Sequence, residues 1–174
     1  MEAEDAPNMQ IEMMIRTLTT DPITNMPIVV LKESSPPEGA DPRMLPIWVG
    51  LNEANAILLQ LENVVTPRPM THDLLKSVIA DLKGEVERVV VCDLKENTFY
   101  ATIDIRAPQG IVTIDARPSD AIALSLRTGS PVFVEESVIQ TARGVDGEHE
   151  SVDVGRLQKW LEGLSEDDLG KYKM

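Results

Sequence analysis

Apolar and polar residues alternate over several short stretches of this chain, and the alternation predicts strands. The clearest stretch is 99–106, where Phe99, Ala101, Ile103 and Ile105 are separated by more polar residues. A repeat of two places these four side chains on one face, as in a strand with one buried side. Weaker forms of the pattern predict further strands at 10–17, 28–31, 45–49, 86–92, 111–116 and 132–134.

Apolar residues at helical spacing predict helices between these strands. One helix is expected to start at Asn52 as its N-cap and to run to about Glu62. A second is expected to start at Thr71 as its N-cap and to end at Gly84. Further helices are expected at about 118–128, 135–141 and 154–164. The stripes are Ala54, Ile57, Leu58 and Leu61 in the first, Leu74, Leu75, Val78, Ile79 and Leu82 in the second, and Leu157, Trp160, Leu161 and Leu164 in the last.

The order of these elements indicates the fold class. Strands come in runs with helices between them, which is typical of an α+β fold. We expect a mixed, largely antiparallel sheet with helices packed on it. The length of 174 residues suits a single domain. Residues 1–8 are expected to form an acidic leader, 9–142 the domain, and 143–174 a polar linker with a C-terminal amphipathic helix that packs on the domain or binds a partner.

Residues 113–131 predict an abrupt change from strand to helix. Pro118 suits the first helical position, since it has no N–H to leave unbonded and its φ is already helical. Asp120 then falls in the first turn, where the helix dipole favours a carboxylate. Gly129 can end the helix in a left-handed conformation, and Pro131 blocks its continuation.

Asp115, Arg117 and Asp120 crowd this junction and are the leading candidates for chemistry. Carboxylates can hold Mg²⁺ or Mn²⁺ for phosphodiester cleavage. Alternatively, Asp120 only stabilises its helix, and Asp115 pairs with Arg117 or Arg127. Asp115 also lies on the strand face opposite Ile114, so the two carboxylates can point apart.

Four other side chains are weaker candidates. Glu53 lies in a first helical turn and is either a third acidic ligand or a dipole-stabilising residue. His72 follows Thr71 at a helix start and is either a general base or a surface histidine. Arg68 and Arg127 could bind phosphate through two N–H groups, as Arg117 could.

Composition narrows the function classes. The formal net charge is −13, and lysines and arginines are scattered singly, which opposes binding to a polyanion. Trp, Tyr and Phe occur only twice each, so few rings can stack on bases. The only cysteine, Cys92, excludes an intrachain disulfide. No apolar run is long enough to cross a bilayer, and the acidic N-terminus lacks a signal-peptide pattern, so we expect a cytoplasmic protein.

Three stretches in this order resemble the bifunctional nuclease domain family, and the similarity runs from about Met9 to Ala142. The stretches are Leu45 to Ala54 (LPIWVGLNEA), Arg68 to Leu75 (RPMTHDLL) and Asp115 to Leu124 (DARPSDAIAL). The resemblance implies hydrolysis of RNA and DNA, with nucleic acid bound weakly and with a divalent metal, Mg²⁺ or Mn²⁺, as the expected cofactor.

On this reading the site is built on Asp115 and Asp120, with Glu53 and His72 nearby and Arg117 on the phosphate. Asp115, Asp120 and Glu53 are the expected metal ligands. The alternative is a non-enzymatic regulatory or protein-binding module, in which the charged corner holds an interface or a small ligand. Under either hypothesis a homo-oligomer, most simply a dimer, is expected, because a small mixed sheet leaves an edge or a face to cover.

Overall fold

The computed structural model describes residues 9–144, in which seven strands and four helices follow one another. The strands are β1 (Gln10–Thr20), β2 (Pro27–Glu33), β3 (Met44–Trp48), β4 (Glu85–Lys95), β5 (Thr98–Ala107), β6 (Gly110–Ala116) and β7 (Val132–Glu135). The helices are α1 (Leu51–Leu61), α2 (Thr71–Asp81), α3 (Pro118–Thr128) and α4 (Glu136–Gly144). The predicted acidic leader, most of the predicted linker and the predicted helix at 154–164 lie outside the described residues.

The seven strands form one sheet in the order β3-β2-β1-β7-β4-β5-β6. All neighbours pair antiparallel except β4 and β7, which are parallel. The short strand β7 therefore joins two antiparallel meanders, β1–β3 and β4–β6. This arrangement confirms the predicted single α+β domain with a mixed, largely antiparallel sheet.

One face of the sheet carries the main core. Ala101, Ile103 and Ile105 of β5 are buried, as their alternation predicted, and they face the helices. Four consecutive residues of α3, 121–124, are fully buried, so this helix lies deepest against the sheet. Its junction matches the sequence prediction: Pro118 is the first helical residue, and Gly129 ends the helix at φ 72°. The core thus fixes the N-terminus of α3, where the candidate residues lie.

Two predicted N-caps were wrong by one or two positions. Helix α1 begins after Gly50 rather than at Asn52, and α2 begins after Met70, with Thr71 as its first helical residue. At α2 the third helical residue binds the cap, because Asp73 Oδ2 accepts the backbone N–H of the N-cap residue Met70 at 2.9 Å. A carboxylate satisfies such an N–H and also interacts favourably with the helix dipole.

The end of α2 also differs from the prediction. The helix ends at Asp81, and Lys83, not Gly84, takes the left-handed conformation with φ 64°. Gly84 is needed for close packing, since an added Cβ would lie 3.0 Å from the Ile105 side chain and 3.1 Å from that of Ile79. The sequence correctly marked Gly84 as a position that needs glycine. The reason is the close approach of its backbone to the sheet, and not a left-handed conformation.

Most of the apolar stripe of α2 does not face the core, and of its five residues only Ile79 packs against it. Leu74, Leu75, Val78 and Leu82 are all exposed, and His72 is the buried residue of this helix. Helix α2 instead meets α3 through polar groups. Among the described residues, no helix is long and apolar enough to cross a membrane.

Candidate functional site

The N-termini of α1, α2 and α3 converge on a cavity of about 380 Å³. Glu53 from the first turn of α1, His72 from the first turn of α2, and Arg117 and Asp120 from the start of α3 all line it. Three helix N-termini at one place concentrate partial positive charge and backbone N–H groups. This convergence brings together four residues that are up to 67 positions apart, since 120 − 53 = 67.

Arg117 is the centre of this cluster. As the N-cap residue of α3 it is extended, with φ −70° and ψ 140°, so its side chain leaves the helix at the cavity mouth. Its Nη2 lies 2.8 Å from Glu53 Oε1, and its Nε donates to Asp120 Oδ2 at 2.8 Å. Hydrogen bonds to Asp120 and then to Glu53 raise the pKa of Arg117 above its usual value. The side chain remains 65% exposed.

Asp120 links this arginine to a histidine. Its Oδ1 lies 2.9 Å from Nε2 of His72, which is buried. Burial opposes ionisation of Asp120, but hydrogen bonds from Arg117 and His72 outweigh it and lower the pKa of Asp120. Because the carboxylate stays ionised at neutral pH, it accepts a hydrogen bond, and Nε2 of the histidine must carry the proton. A neutral imidazole in this tautomer keeps its lone pair on Nδ1.

Glu53 completes the set of acidic groups. A hydrogen bond from its own backbone N–H, followed by one from Arg117, lowers the pKa of Glu53 below its usual value, against a smaller opposing effect of Asp120. The cluster thus holds two carboxylates and one guanidinium beside the His72 imidazole. It is therefore a compact array of paired charges with one solvent-exposed cation at its centre.

Arg127, a predicted phosphate ligand, lies behind this cluster and is buried. Its Nε donates to Asp73 Oδ1 at 2.6 Å, and its Nη1 and Nη2 donate to the backbone carbonyls of Ala123 and Ala56 at 2.8 and 3.0 Å. Lys76 donates to the carbonyl of Arg127 at 2.7 Å. These bonds join α1, α2 and α3, so Arg127 positions the three helices. Sequence reasoning missed Asp73 as its partner.

The structure does not bring Asp115 or Arg68 to the cluster. Asp115 is opposite Thr102 in the β5–β6 pairing, on the sheet face away from Ile103 and the helices. The alternation along the strand predicts this placement, because Asp115 lies on the face opposite Ile114. Arg68 is exposed in the loop between α1 and α2, where the Thr66 hydroxyl donates to its carbonyl at 2.7 Å. Neither residue lines the cavity.

The cluster does not form a ready metal site. Hard divalent ions take several oxygen ligands around one point. Within residues 9–144, no three His, Cys, Asp or Glu side chains are grouped so as to hold an ion. Glu53 and Asp120 instead share the Arg117 guanidinium, which already neutralises them. The residues as arranged therefore do not fit a resident metal.

Comparison with known proteins agrees with the resemblance in the sequence motifs. A family model described as the bifunctional nuclease domain matches residues 29–146, which include all four clustered residues. An uncharacterized protein of Mycobacterium tuberculosis is 37% identical over 154 residues, covering 83% of this chain and 89% of that protein. Bifunctional nuclease 1 of Oryza sativa subsp. indica and bifunctional nuclease of Oryza minuta are each 25% identical over 104 residues, covering 58% of this chain and 31% of the plant proteins.

Proposed function

Because the chain belongs to the bifunctional nuclease domain family, we propose that it hydrolyses phosphodiester bonds of RNA and DNA. The observation that carries the proposal is the Arg117 guanidinium, fixed between Glu53 and Asp120 at the mouth of a cavity. A guanidinium held in a defined orientation suits the fork-like recognition of a phosphate. The helix N-termini around the cavity add further attraction for an anion.

Arg117 would bind the phosphate and stabilise its developing charge. Its contacts with the two carboxylates use Nε and Nη2, which within the described residues leaves Nη1 for a ligand. Negative charge builds on the phosphate oxygens as a nucleophile attacks, and a preoriented donor stabilises that charge most in the transition state.

His72 would be the general base. DNA has no 2′-hydroxyl, so a mechanism shared by RNA and DNA cannot rely on that group, and we propose water as the nucleophile. The imidazole takes a proton from this water as the water oxygen attacks phosphorus. The P–O bond to the leaving oxygen breaks, that oxygen takes a proton from solvent, and the imidazolium then returns its proton to solvent. Asp120 orients the imidazole through the 2.9 Å contact with Nε2. The geometry supports these roles for Arg117, His72 and Asp120. It supports no catalytic role for Asp115, which lies on the other face of the sheet.

A non-enzymatic regulatory module is the second candidate function. One observation favours it: Glu53, Arg117 and Asp120 satisfy one another, as they would in a structural corner. The net charge of −13 also opposes non-specific contact with nucleic acid. On this hypothesis the cluster joins three helix ends and exposes Arg117 to a protein partner. We also propose a cytoplasmic location, which the single cysteine supports.

Cleavage of labelled single-stranded RNA and DNA by Arg117→Gln tests the nuclease proposal. We expect a loss of about 10²-fold or more, as for removal of one transition-state donor elsewhere. Arg106→Gln is the matched control, because Arg106 is also exposed and paired with glutamates, but lies near the opposite end of the β5–β6 pair. Equal cleavage by both variants and the unaltered protein would exclude Arg117 from the chemistry.

The metal requirement predicted from the sequence needs its own measurement. Because the clustered residues do not fit a resident metal, we expect cleavage to persist in excess EDTA. Loss of cleavage in EDTA with recovery in Mg²⁺ or Mn²⁺ would restore the metal that the sequence predicted. Undiminished cleavage in EDTA would remove the metal from the proposal while leaving the roles of His72 and Arg117 intact. Absence of cleavage under every condition would favour the regulatory module.

A further inference from the structure

A second cavity, of about 270 Å³, also borders Arg117. Among the described residues, Arg117 alone lines both this cavity and the one that contains His72. A phosphate held by Arg117 would therefore have two separate spaces beside it. We call the second space the α3–β5 cavity and define it by Val49, Gly50, Phe99, Arg117, Pro118 and Ser119.

Regular elements and one tight turn build the α3–β5 cavity. The end of β3 with the two residues that follow it, the start of β5, and the first turn of α3 all line it. The turn before β5 is tight, because Glu96 and Asn97 both have a left-handed φ, of 48° and 59°. Phe99 is partly exposed and packs against the main core. The cavity is therefore a fixed part of the fold and needs no long loop to close it.

The lining of the α3–β5 cavity is largely apolar, and Arg117 is its charged residue. No described residue that lines it is acidic, although the chain contains 29 Asp and Glu residues. Val49, Phe99 and Pro118 supply apolar surface, and Ser119 supplies a hydroxyl. Such a lining suits an uncharged group with apolar faces and a few hydrogen-bonding atoms at its edge.

The Ser119 hydroxyl is directed into this cavity. The residue is only 8% exposed, and no described residue forms a hydrogen bond with its side chain. Within residues 9–144, no fully buried side-chain nitrogen or oxygen lacks a partner, so this hydroxyl must reach an accessible surface. The accessible surface that Ser119 lines is the α3–β5 cavity. A polar group so enclosed and without a protein partner indicates a ligand that provides one.

We propose that the α3–β5 cavity binds the nucleobase of the nucleotide whose phosphate Arg117 holds. The proposal rests on the proposed function, which makes Arg117 the phosphate ligand. A nucleobase is uncharged, has two flat apolar faces and carries hydrogen-bonding atoms at its edge, as the lining requires. Phe99 stacks on the base, and the Ser119 hydroxyl bonds to its edge. The base and the attacking water, which is next to His72, then occupy different cavities with the phosphate between them.

One stacking ring is compatible with the composition of the chain. The few aromatic residues argue against a long stacking platform, but a single base needs a single ring. Stacking tolerates any base, because every base has a π face. A site built on Phe99 therefore suits both RNA and DNA. An acidic side chain of a protein could also meet Arg117, but it carries no ring to fill the adjoining apolar space.

Calorimetric titration of the full chain with adenosine 5′-monophosphate and, separately, with ribose 5-phosphate tests the proposal. Both compounds carry a sugar and a phosphate, and only the first carries a base. We expect the nucleotide to bind at least about tenfold more tightly, as for one base stacked on one ring. Equal affinities, or no binding of either compound, would overturn the proposal even in a protein that cleaves RNA and DNA.

Two variants locate the base. Phe99→Leu should remove the advantage of the nucleotide and leave the affinity for ribose 5-phosphate unchanged. Phe133→Leu is the matched control, because Phe133 is also partly exposed but lies on the other face of the sheet, between the core residues Val132 and Val134.

The second variant does not depend on how well the fold tolerates loss of the ring. Ser119→Ala removes only a hydroxyl, and it should lower nucleotide affinity about threefold or more. An advantage of the nucleotide that survives in both Phe99→Leu and Ser119→Ala would place the base elsewhere and overturn the proposal.

Failure of this proposal and failure of the nuclease proposal give different results. An advantage of the nucleotide that requires Phe99, in a protein that cleaves nothing, would support the nucleobase site and overturn the nuclease function. Cleavage with equal binding of the two compounds would support the nuclease function and overturn the nucleobase site. Arg117→Gln should weaken both compounds alike, because both present a phosphate.

Discussion

Asp120 makes two different contacts with its two carboxylate oxygens. Oδ2 accepts from Arg117, and Oδ1 meets His72. One residue therefore sets both the orientation of the guanidinium and the tautomer of the imidazole. Removing its charge should disturb binding and proton transfer together, whereas a residue that only stabilised the helix dipole would affect stability alone.

We expect Asp120→Asn to lower cleavage at least about tenfold without unfolding the protein. The amide preserves the size of the side chain, but it cannot hold Arg117 as an ion pair. Asp115→Asn is the matched control, since Asp115 is an exposed carboxylate on the other face of the sheet. Initial rates and thermal melts should be measured together. A lower melting temperature with normal cleavage per folded molecule would make Asp120 a helix-stabilising residue only.

The ion pair of half-buried Asp73 and buried Arg127 predicts a pH effect on stability. Burial raises the pKa of Asp73, but hydrogen bonds from the Met70 N–H and from Arg127 outweigh it, so its folded pKa is lowered. The contribution is therefore complete above the unfolded pKa of about 3.9 and is lost as pH falls through the folded value. We expect Asp73→Asn to cost about 1–3 kcal/mol at pH 6 and progressively less below about pH 4.

Chemical unfolding of both proteins at pH 6, 4 and 3 checks this expectation. The quantity to follow is the difference in unfolding free energy between the two proteins, because other carboxylates with lowered pKa, such as Glu33 beside Arg43, also weaken the unaltered protein in acid. A difference that stays constant across this range would mean that the Asp73 charge is not what stabilises the helices.

At the scale of elements, local signals predicted most of the fold. The alternation in β5 and the proline and glycine at the ends of α3 act within a few residues, and the structure has them as expected. The burial of α2 was not predictable in this way. Its stripe has helical spacing, but which side of a helix is covered depends on neighbours that the sequence alone does not place.

The candidate site was also predicted only in part, because some of its contacts depend on residues far apart in the chain. Asp115 and Asp120 were predicted to lie close together with Glu53, His72 and Arg117, and the structure groups all of them except Asp115. The contact of Arg127 with Asp73 spans 54 residues, and no local pattern distinguishes a buried structural arginine from a phosphate ligand. Long-range ion pairs of this kind depend on how helices dock.

The end of α3 offers an element-scale prediction. Gly129 has φ 72°, and an added Cβ would have no atom within 4 Å. The cost of Gly129→Ala is therefore conformational, about 1–2 kcal/mol for a left-handed alanine. Gly129→Asn should cost less, because asparagine tolerates this conformation. Thermal unfolding of both variants provides the check. Equal losses for alanine and asparagine would point to a cause other than backbone conformation.

At the scale of the whole molecule, charge limits how a nucleic acid can bind. The chain carries a formal charge of −13, and Arg117 is the exposed cation at the cavity. Each phosphate neutralised on a single strand contributes about −0.7 to the slope of log affinity against log salt. We expect one to three phosphate contacts, hence a slope of about −0.7 to −2. A steep slope would indicate a basic surface elsewhere on the chain.

Added divalent ions test a metal-assisted form of the nuclease proposal in the same titration. If the protein is a metal-assisted nuclease, Ca²⁺ or Mn²⁺ should increase its affinity for a labelled single-stranded oligonucleotide, because the ion supplies positive charge that the surface lacks. The double variant Asp115→Asn/Asp120→Asn should lose this gain, and Asp115→Asn alone should keep it. A regulatory module should show no gain and should instead lose partner binding when Arg117 is changed. Equal, negligible fluorescence anisotropy changes for every protein and ion would lead us to abandon the nuclease proposal.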